Sequence, residues 1–329
     1  MASLLDDIRS KIRLDCDTLD TSVAPALGPF VDCTSNQAIA ASELADPNHE
    51  DLIRRSVQQA REAHSTFQDV SLAQLAVDIM TINLQAWTLP HLSGRVHIQT
   101  DPYNSYSTPK TVSNAERIIS LFKLLHPTLD TSRICIKIPS TWEGLAACHQ
   151  LESAGIRTLA TTLFNMEQAA LAAASKCTYI APYVNDLKVH FIAGFKDPDP
   201  GFALTHAAKL YYQRVGAETQ VMPASLTSVD EVQALIGKAD HITVAPHLLR
   251  QMAEMPASAA FKQDEAVPAD VEALAKADYN SICKDEAAFR MAMTRSKDGN
   301  NEKKLVDAIK IFCEAQDRLL ALAERYLKP

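Results

Sequence analysis

Eight short segments rich in apolar and β-branched residues recur along this chain with helical stretches between them, and that alternation constrains the fold more than any other feature. The segments are 13–18 (RLDCDT), 29–35 (PFVDCTS), 94–100 (GRVHIQT), 132–140, 157–164 (RTLATTLF), 178–184 (TYIAPYV), 218–226 (ETQVMPASL) and 241–248 (HITVAPHL). A long helical region is expected at about 36–89, and amphipathic stretches at 113–126, 142–153 and 166–175. Residues 228–236 open with Ser228-x-x-Glu231, a capping-box pattern. Eight βα units are the arithmetic of a (β/α)8 TIM barrel. The rival, a doubly wound sheet, wants a glycine-rich turn after a strand; no G-x-G-x-x-G follows any segment, and the chain has only 9 Gly. The stretch 301–327, with Leu305, Ile309, Phe312 and Leu319, reads as one long amphipathic helix. The expectation is a single α/β barrel domain over 1–329, with extra N-terminal and C-terminal helices and this last one packed on it.

The fourth segment carries an anomaly. With a period of two, Ile134, Ile136 and Ile138 point one way and Cys135, Lys137 and Pro139 the other. A lysine in an apolar run is costly unless it is paired with a carboxylate or has a lowered pKa that makes it an amine nucleophile. The residue alone leaves both readings open.

In a barrel of this kind chemistry sits at the C-terminal ends of the strands. Those ends offer Asp17, then Thr34, Ser35 and Asn36, then Gln99, Lys137 and Thr161. The sixth adds Tyr183, Asn185 and Asp186, and the seventh Ser225 and Thr227. One lysine among an aspartate, a tyrosine and neutral hydrogen-bonding groups suits amine addition to a ketone, with the carboxylate shuttling protons. Each residue also has a plainer reading: Asp17 as a corner cap, Tyr183 as a packed aromatic, Thr161 as a strand residue. Their recurrence at successive strand ends favours the site.

Composition narrows the partners. A net charge of -8 argues against nucleic acid or an anionic membrane. Seven cysteines without a C-x-x-C pair fit a reducing, cytoplasmic compartment, and neither a signal peptide nor a membrane span is evident. The ten histidines show no zinc spacing; His97 and His190 near strand ends are the two of note, and no metal role is expected for them. No G-x-S-x-G elbow supports hydrolase chemistry. Cys16, Cys33 and Cys135 read as small packed groups.

The stretch IKIPSTWEGLAACHQLESAGIRTLATTLF and its continuation to YIAPYVN resemble the transaldolase family, which includes fructose-6-phosphate aldolases. DCDTLD, DCTSN and MPASL fall in family order, so the resemblance covers nearly the whole chain. It implies a metal-free, cofactor-free Schiff-base (class I) enzyme handling a dihydroxyacetone unit of a small carbonyl or sugar substrate, often as a homodimer. By resemblance, Lys137 matches the Schiff-base lysine and Asp17 the proton-shuttling aspartate. Asn36 matches the asparagine after the second strand, and Thr161 a threonine that helps hold the catalytic water. Ser225 matches the serine near the phosphate end of the substrate.

The departures carry information. Gln99 stands where classical transaldolases have glutamate and Tyr183 where they have phenylalanine, an aldolase-like combination. Asp186 and Thr227 replace basic phosphate-binding residues, and Gln37 replaces a proline. An aspartate repels a phosphate dianion that arginine would hold. The expectation is an aldolase-like lyase or transferase acting on an unphosphorylated substrate, with a polar or amino group toward Asp186. Classical transfer of dihydroxyacetone between sugar phosphates is the alternative, with Lys188, Arg214 or Lys196 reaching the phosphate instead. A non-catalytic barrel paralogue and a paralogue recruited to a specialised pathway are the further readings.

Overall fold

Strand residues alternate between polar and apolar, and the computed structural model shows what each face meets. The structure describes residues 2–257 and 266–328. Among these, eight strands form one sheet: β1 (Arg13–Asp17), β2 (Cys33–Thr34), β3 (Val96–Gln99), β4 (Ile134–Pro139), β5 (Arg157–Leu163), β6 (Tyr179–Pro182), β7 (Gln220–Val221) and β8 (His241–Val244). They pair in parallel in the order β7-β6-β5-β4-β3-β2-β1-β8. The seam between β7 and β8 is bridged where the Asp240 N–H donates to the Val221 carbonyl (2.9 Å) and the Thr243 N–H to the Pro223 carbonyl (3.3 Å). The result is a nearly closed (β/α)8 barrel with extra helices, among them Leu4–Arg9 near the start and Asn300–Leu327 near the end.

Leu14, Val96, Ile98, Ile134, Ile136, Ile138 and Ile242 are buried in the apolar core around the strands. Residues of the other parity meet across the lumen. His97 lies 5.1 Å from Tyr179 and Tyr179 lies 5.5 Å from His241, although β3, β6 and β8 are not neighbours. This lumen is polar, so its groups must be paired. Asp32 accepts the Arg95 N–H (2.6 Å) and contacts His97 Nε2 (2.9 Å); Asp15 accepts the Asp32 N–H (2.8 Å) and contacts His241 Nδ1 (2.9 Å). Two residues further along the strands stand Asp17, Thr34, Gln99, Lys137 and Thr243, a second tier toward the C-terminal rim. Register places Gln99 beside Lys137 and Asp17 beside Thr34.

Several elements are shorter than their sequence patterns. Within 218–226 only Gln220–Val221 form a ladder, because Pro223 has no N–H to donate and Ser225 turns the chain into the left-handed region at φ 63°. Within 29–35 only Cys33–Thr34 do, and β8 stops where Pro246 opens the helix Pro246–Glu254. The long region 36–89 divides into helices Gln37–Glu43, Glu50–Ala63 and Leu72–Thr88, with Pro47 opening a short turn between the first two. At Ser228 the hydroxyl accepts the Glu231 N–H (3.3 Å), but Glu231 turns its own carboxylate to the Thr227 N–H (2.6 Å), so half of the capping box forms. The C-terminal helix packs against Gln37–Glu43 and Leu72–Thr88, where Gln316 donates to Gln74 (2.9 Å). No helix among the described residues is long and apolar enough to cross a membrane.

Candidate active site

Lys137 is 2% exposed, and none of the ion pairs or side-chain hydrogen bonds among the described residues includes its amine. Burial lowers its pKa from the ordinary lysine value; Asp17, across the lumen, opposes that shift without cancelling it. Of the two sequence readings, a direct structural ion pair is therefore the one the geometry does not show.

Asp17 ends β1 and accepts the Thr34 hydroxyl (2.7 Å), whose oxygen also lies 2.6 Å from the Thr243 hydroxyl. This chain of hydroxyls fixes one carboxylate oxygen. Tyr183, just past β6, is buried; the Thr161 hydroxyl donates to its oxygen at 3.4 Å, and its ring stands edge-on to Phe164 at 5.6 Å. Burial, aided by Asp17, holds the phenol well above its ordinary pKa, with the Thr161 hydroxyl opposing. Tyr183 thus remains a proton donor.

Gln99 is buried beside Lys137, and its amide donates to Gln37 Oε1 (2.6 Å); Gln37 in turn donates to the Thr100 carbonyl (2.9 Å). The side-chain oxygen of Gln99, Oε1, is buried without a hydrogen-bond partner among the described residues. Gln37, in the place of a proline, is thus the residue that orients Gln99. Ser35 donates to the His97 carbonyl (3.0 Å) and receives the Gln85 amide (2.8 Å), a purely internal role.

A cavity of about 410 Å³ opens at this rim, walled by Asp17, Asn36, Tyr183, His190, Ser225 and Arg250 among others. Lys137 itself does not line it. Asn36 caps the helix Gln37–Glu43 by accepting the Ile39 N–H (3.0 Å). The cavity wall carries three carboxylates, Asp17, Asp20 and Glu43, against one guanidinium, Arg250, which is exposed and 3.4 Å from Asp20.

Three sequence candidates lie elsewhere. Asp186 is buried; it accepts the Lys188 N–H (2.9 Å) and pairs with the Lys188 ammonium (2.9 Å), so it caps the turn Leu187–His190 and does not face the cavity. Its short carboxylate closes on its own chain, as aspartate does at turn starts. Asn185 donates to the Ser225 carbonyl (2.9 Å) and to Glu231 (3.1 Å), pinning two loops together. Thr227 is exposed and outside the cavity wall. Of the cations considered as alternative phosphate anchors, Lys188 is shared between Asp186 and Asp307, and Arg214 donates to the Ala275 and Ala277 carbonyls. Lys196 is exposed and outside the wall.

The profile of the Transaldolase/Fructose-6-phosphate aldolase family matches residues 14–323. The chain belongs to that family. Among its curated relatives, the transaldolase of Chlamydia trachomatis is 29% identical over 95% of this chain and 93% of that protein. The transaldolase of Prochlorococcus marinus subsp. pastoris is 30% identical over 97% and 94%, and that of Agrobacterium fabrum 30% over 95% and 94%. A solved flavocytochrome b2 variant with sulfite bound aligns with 94% of this chain and 64% of that chain at 9% identity and a TM-score of 0.39, a likeness too slight to bear on fold or function. Membership makes this protein an enzyme of the transaldolase and aldolase class.

Sequence reasoning missed Gln37 as a support, and Arg250 and His190 as cavity residues. Arg250 lies in the helix that follows β8, within one turn of Pro246 and so within reach of the rim. His190 had been weighed only as a metal ligand. Asp15, Asp32 and His241 do converge in the lumen, each within 4.8 Å of the others, but both carboxylates are already engaged in the contacts described above.

Proposed function

We propose that this protein is a Schiff-base enzyme that makes or breaks a carbon–carbon bond through an enamine of a dihydroxyacetone-type donor on Lys137, and that its substrate is unphosphorylated. The observation that carries the reading is the buried lysine without an ion-pair partner. Burial lowers the pKa of this amine, and a lowered pKa raises the share of free, nucleophilic amine at any given pH. It adds to the donor ketone to give a carbinolamine, which loses water to become an iminium ion. Removal of the proton from the adjacent hydroxyl, by Asp17, lets the carbon–carbon bond break. Its electron pair moves into the iminium, giving the enamine, and an aldehyde leaves. Release then needs a proton on the enamine carbon and water on the regenerated iminium. In this reading Tyr183, Thr161 and Gln99 hold that water, which favours cleavage; attack of the enamine on a second aldehyde would be transfer. Asn36 and Ser225 hold the substrate from the cavity wall.

Support for an unphosphorylated substrate comes from the cavity charge, three carboxylates against Arg250. Arg250 is also the observation that favours the second reading, transfer between sugar phosphates. A cytoplasmic setting fits the seven free cysteines, five of them buried.

The test is borohydride trapping and peptide mass spectrometry with dihydroxyacetone, fructose and fructose 6-phosphate, using Lys137→Ala as control. An adduct on Lys137, fastest with an unphosphorylated donor, is the expected outcome. No adduct with any donor on folded protein overturns the Schiff-base reading, and a strong preference for fructose 6-phosphate overturns the unphosphorylated one.

A further inference from the structure

The turn after β6 brings a titratable ring into the cavity that the reaction above does not use. His190 ends the turn Leu187–His190, and its Nε2 lies 3.0 Å from the Ser225 hydroxyl. Both partners are held. Asp186 caps the turn and pairs with Lys188, while Ser225, at φ 63°, has its carbonyl fixed by the Asn185 amide. The aspartate that stands in place of a phosphate-binding arginine is therefore a positioning residue for a histidine four residues further on.

We infer that His190, together with Ser225, binds the far end of the substrate and selects an uncharged hydroxylated end over a phosphate. The inference rests on the unphosphorylated reading above and names the residue responsible for it. A neutral imidazole has one donor and one acceptor, and a serine hydroxyl offers both, so the pair can read a substrate hydroxyl in either direction. A phosphate dianion offers acceptors only and wants cations. Arg250 is the only lysine or arginine on the described wall of this cavity, and Asp20 lies 3.4 Å from it.

The charged groups around His190 agree. Desolvation holds the ring below its ordinary pKa although the residue stands exposed at the rim; His247 adds to that shift, and Asp17 and Glu231 oppose it. Asp20, Glu43, Tyr183 and Arg250 complete the titratable wall. At neutral pH the ring is uncharged, and acidification converts it to an imidazolium that would welcome phosphate.

The experiment follows the ratio of kcat/KM for fructose 6-phosphate to that for fructose across pH 5–8, in the wild type and in His190→Asn and His190→Gln. The ratio is expected to rise about tenfold more on acidification in the wild type than in either variant, the worth of one charge-assisted hydrogen bond. Comparison with the variants removes the titration of the phosphate itself. His190→Arg is expected to raise the ratio at pH 7 by a similar factor. Identical pH profiles in the wild type and variants overturn the inference, as does an equal loss of kcat on both substrates at unchanged KM, which would put His190 in the chemistry. Thermal unfolding identifies a variant that has lost its fold, and the comparison is then made with the variant that keeps it. A wild type that forms no Lys137 adduct fails the proposed function; one that forms adducts but shows no His190-dependent ratio fails only this inference.

Discussion

Replacing Lys137 by methionine should abolish adduct formation and stabilise the protein. Methionine has nearly the same length and flexibility but no polar head. Lys137 as a residue is 2% exposed and its amine has no ion pair among the described residues, so its burial costs stability. A polar group buried without a compensating bond costs about 1–3 kcal/mol on protein mutational scales. The gain in Lys137→Met should therefore be about 2 kcal/mol at neutral pH, or roughly 3 °C in Tm for a chain this long. The gain must also depend on pH. The folded-state pKa lies below the ordinary value of 10.5, so between the two the unfolded chain binds more protons and wild-type stability rises with pH. The advantage of the variant is accordingly largest below the folded pKa and shrinks as pH climbs toward 10.5. Urea unfolding of both proteins at pH 6, 8 and 10 measures this difference with shared effects cancelled. If Lys137→Met is less stable than wild type at every pH, the ammonium is paired in solution and the reasoning about a nucleophilic amine fails.

Three further substitutions test the supports. Gln37→Pro keeps a backbone suited to the first turn of a helix, since Asn36 before it is extended, but removes both amide bonds that orient Gln99; about 2 kcal/mol should be lost in urea unfolding, with slower trapping on Lys137. Asp32→Asn should cost about 3 kcal/mol at pH 7, because it removes the charge that His97 and the Arg95 N–H face. Asp32 is held down to about 2 from 3.8, against the cost of its burial, by its hydrogen bond to His97, so its contribution is present above pH 3.8 and lost as pH falls through about 2; the deficit of the variant should close over that window, as read by acid unfolding. Lys304→Met breaks a buried pair with Asp197 (2.8 Å), which also accepts the Asp186 N–H (2.7 Å); a loss of about 4 kcal/mol is expected, with faster amide exchange at 186–190.

The barrel was legible because βα alternation is a local signal, repeated eight times, that each element carries in its own period. Strand lengths were not. Residues 218–226 read as one strand, yet Pro223 and the turn at Ser225 end the ladder, and a pattern of hydrophobicity does not register a missing N–H. At the site, Lys137 stood out because an ammonium in an isoleucine run violates a local rule. Asp186 misled for the opposite reason. Resemblance to the family puts it where a phosphate ligand would be, but an aspartate side chain reaches its own backbone two residues on before it reaches a substrate. His190 is marked in the sequence only by its place near a strand end, and nothing in its neighbours marks Arg250; the turn and helix that carry them bring them to one cavity with Asp17.

The polar floor of the barrel bears on the proton held by Lys137. His97 lies one tier below it, is itself lowered in pKa chiefly by burial, and is lowered further by the charge of Lys137. Coulomb's law is symmetric, so a proton on either group disfavours a proton on the other. Asp32 holds the His97 ring in place through Nε2, while Nδ1 is left buried without a partner. An apolar residue at 97 would remove this competition and fill the space, yet the chain keeps two imidazoles and two carboxylates in a lumen where hydrocarbon would cost less. Burial therefore remains the chief cause that lowers the Lys137 amine, Asp17 opposes it, and a proton on His97 below would lower it further.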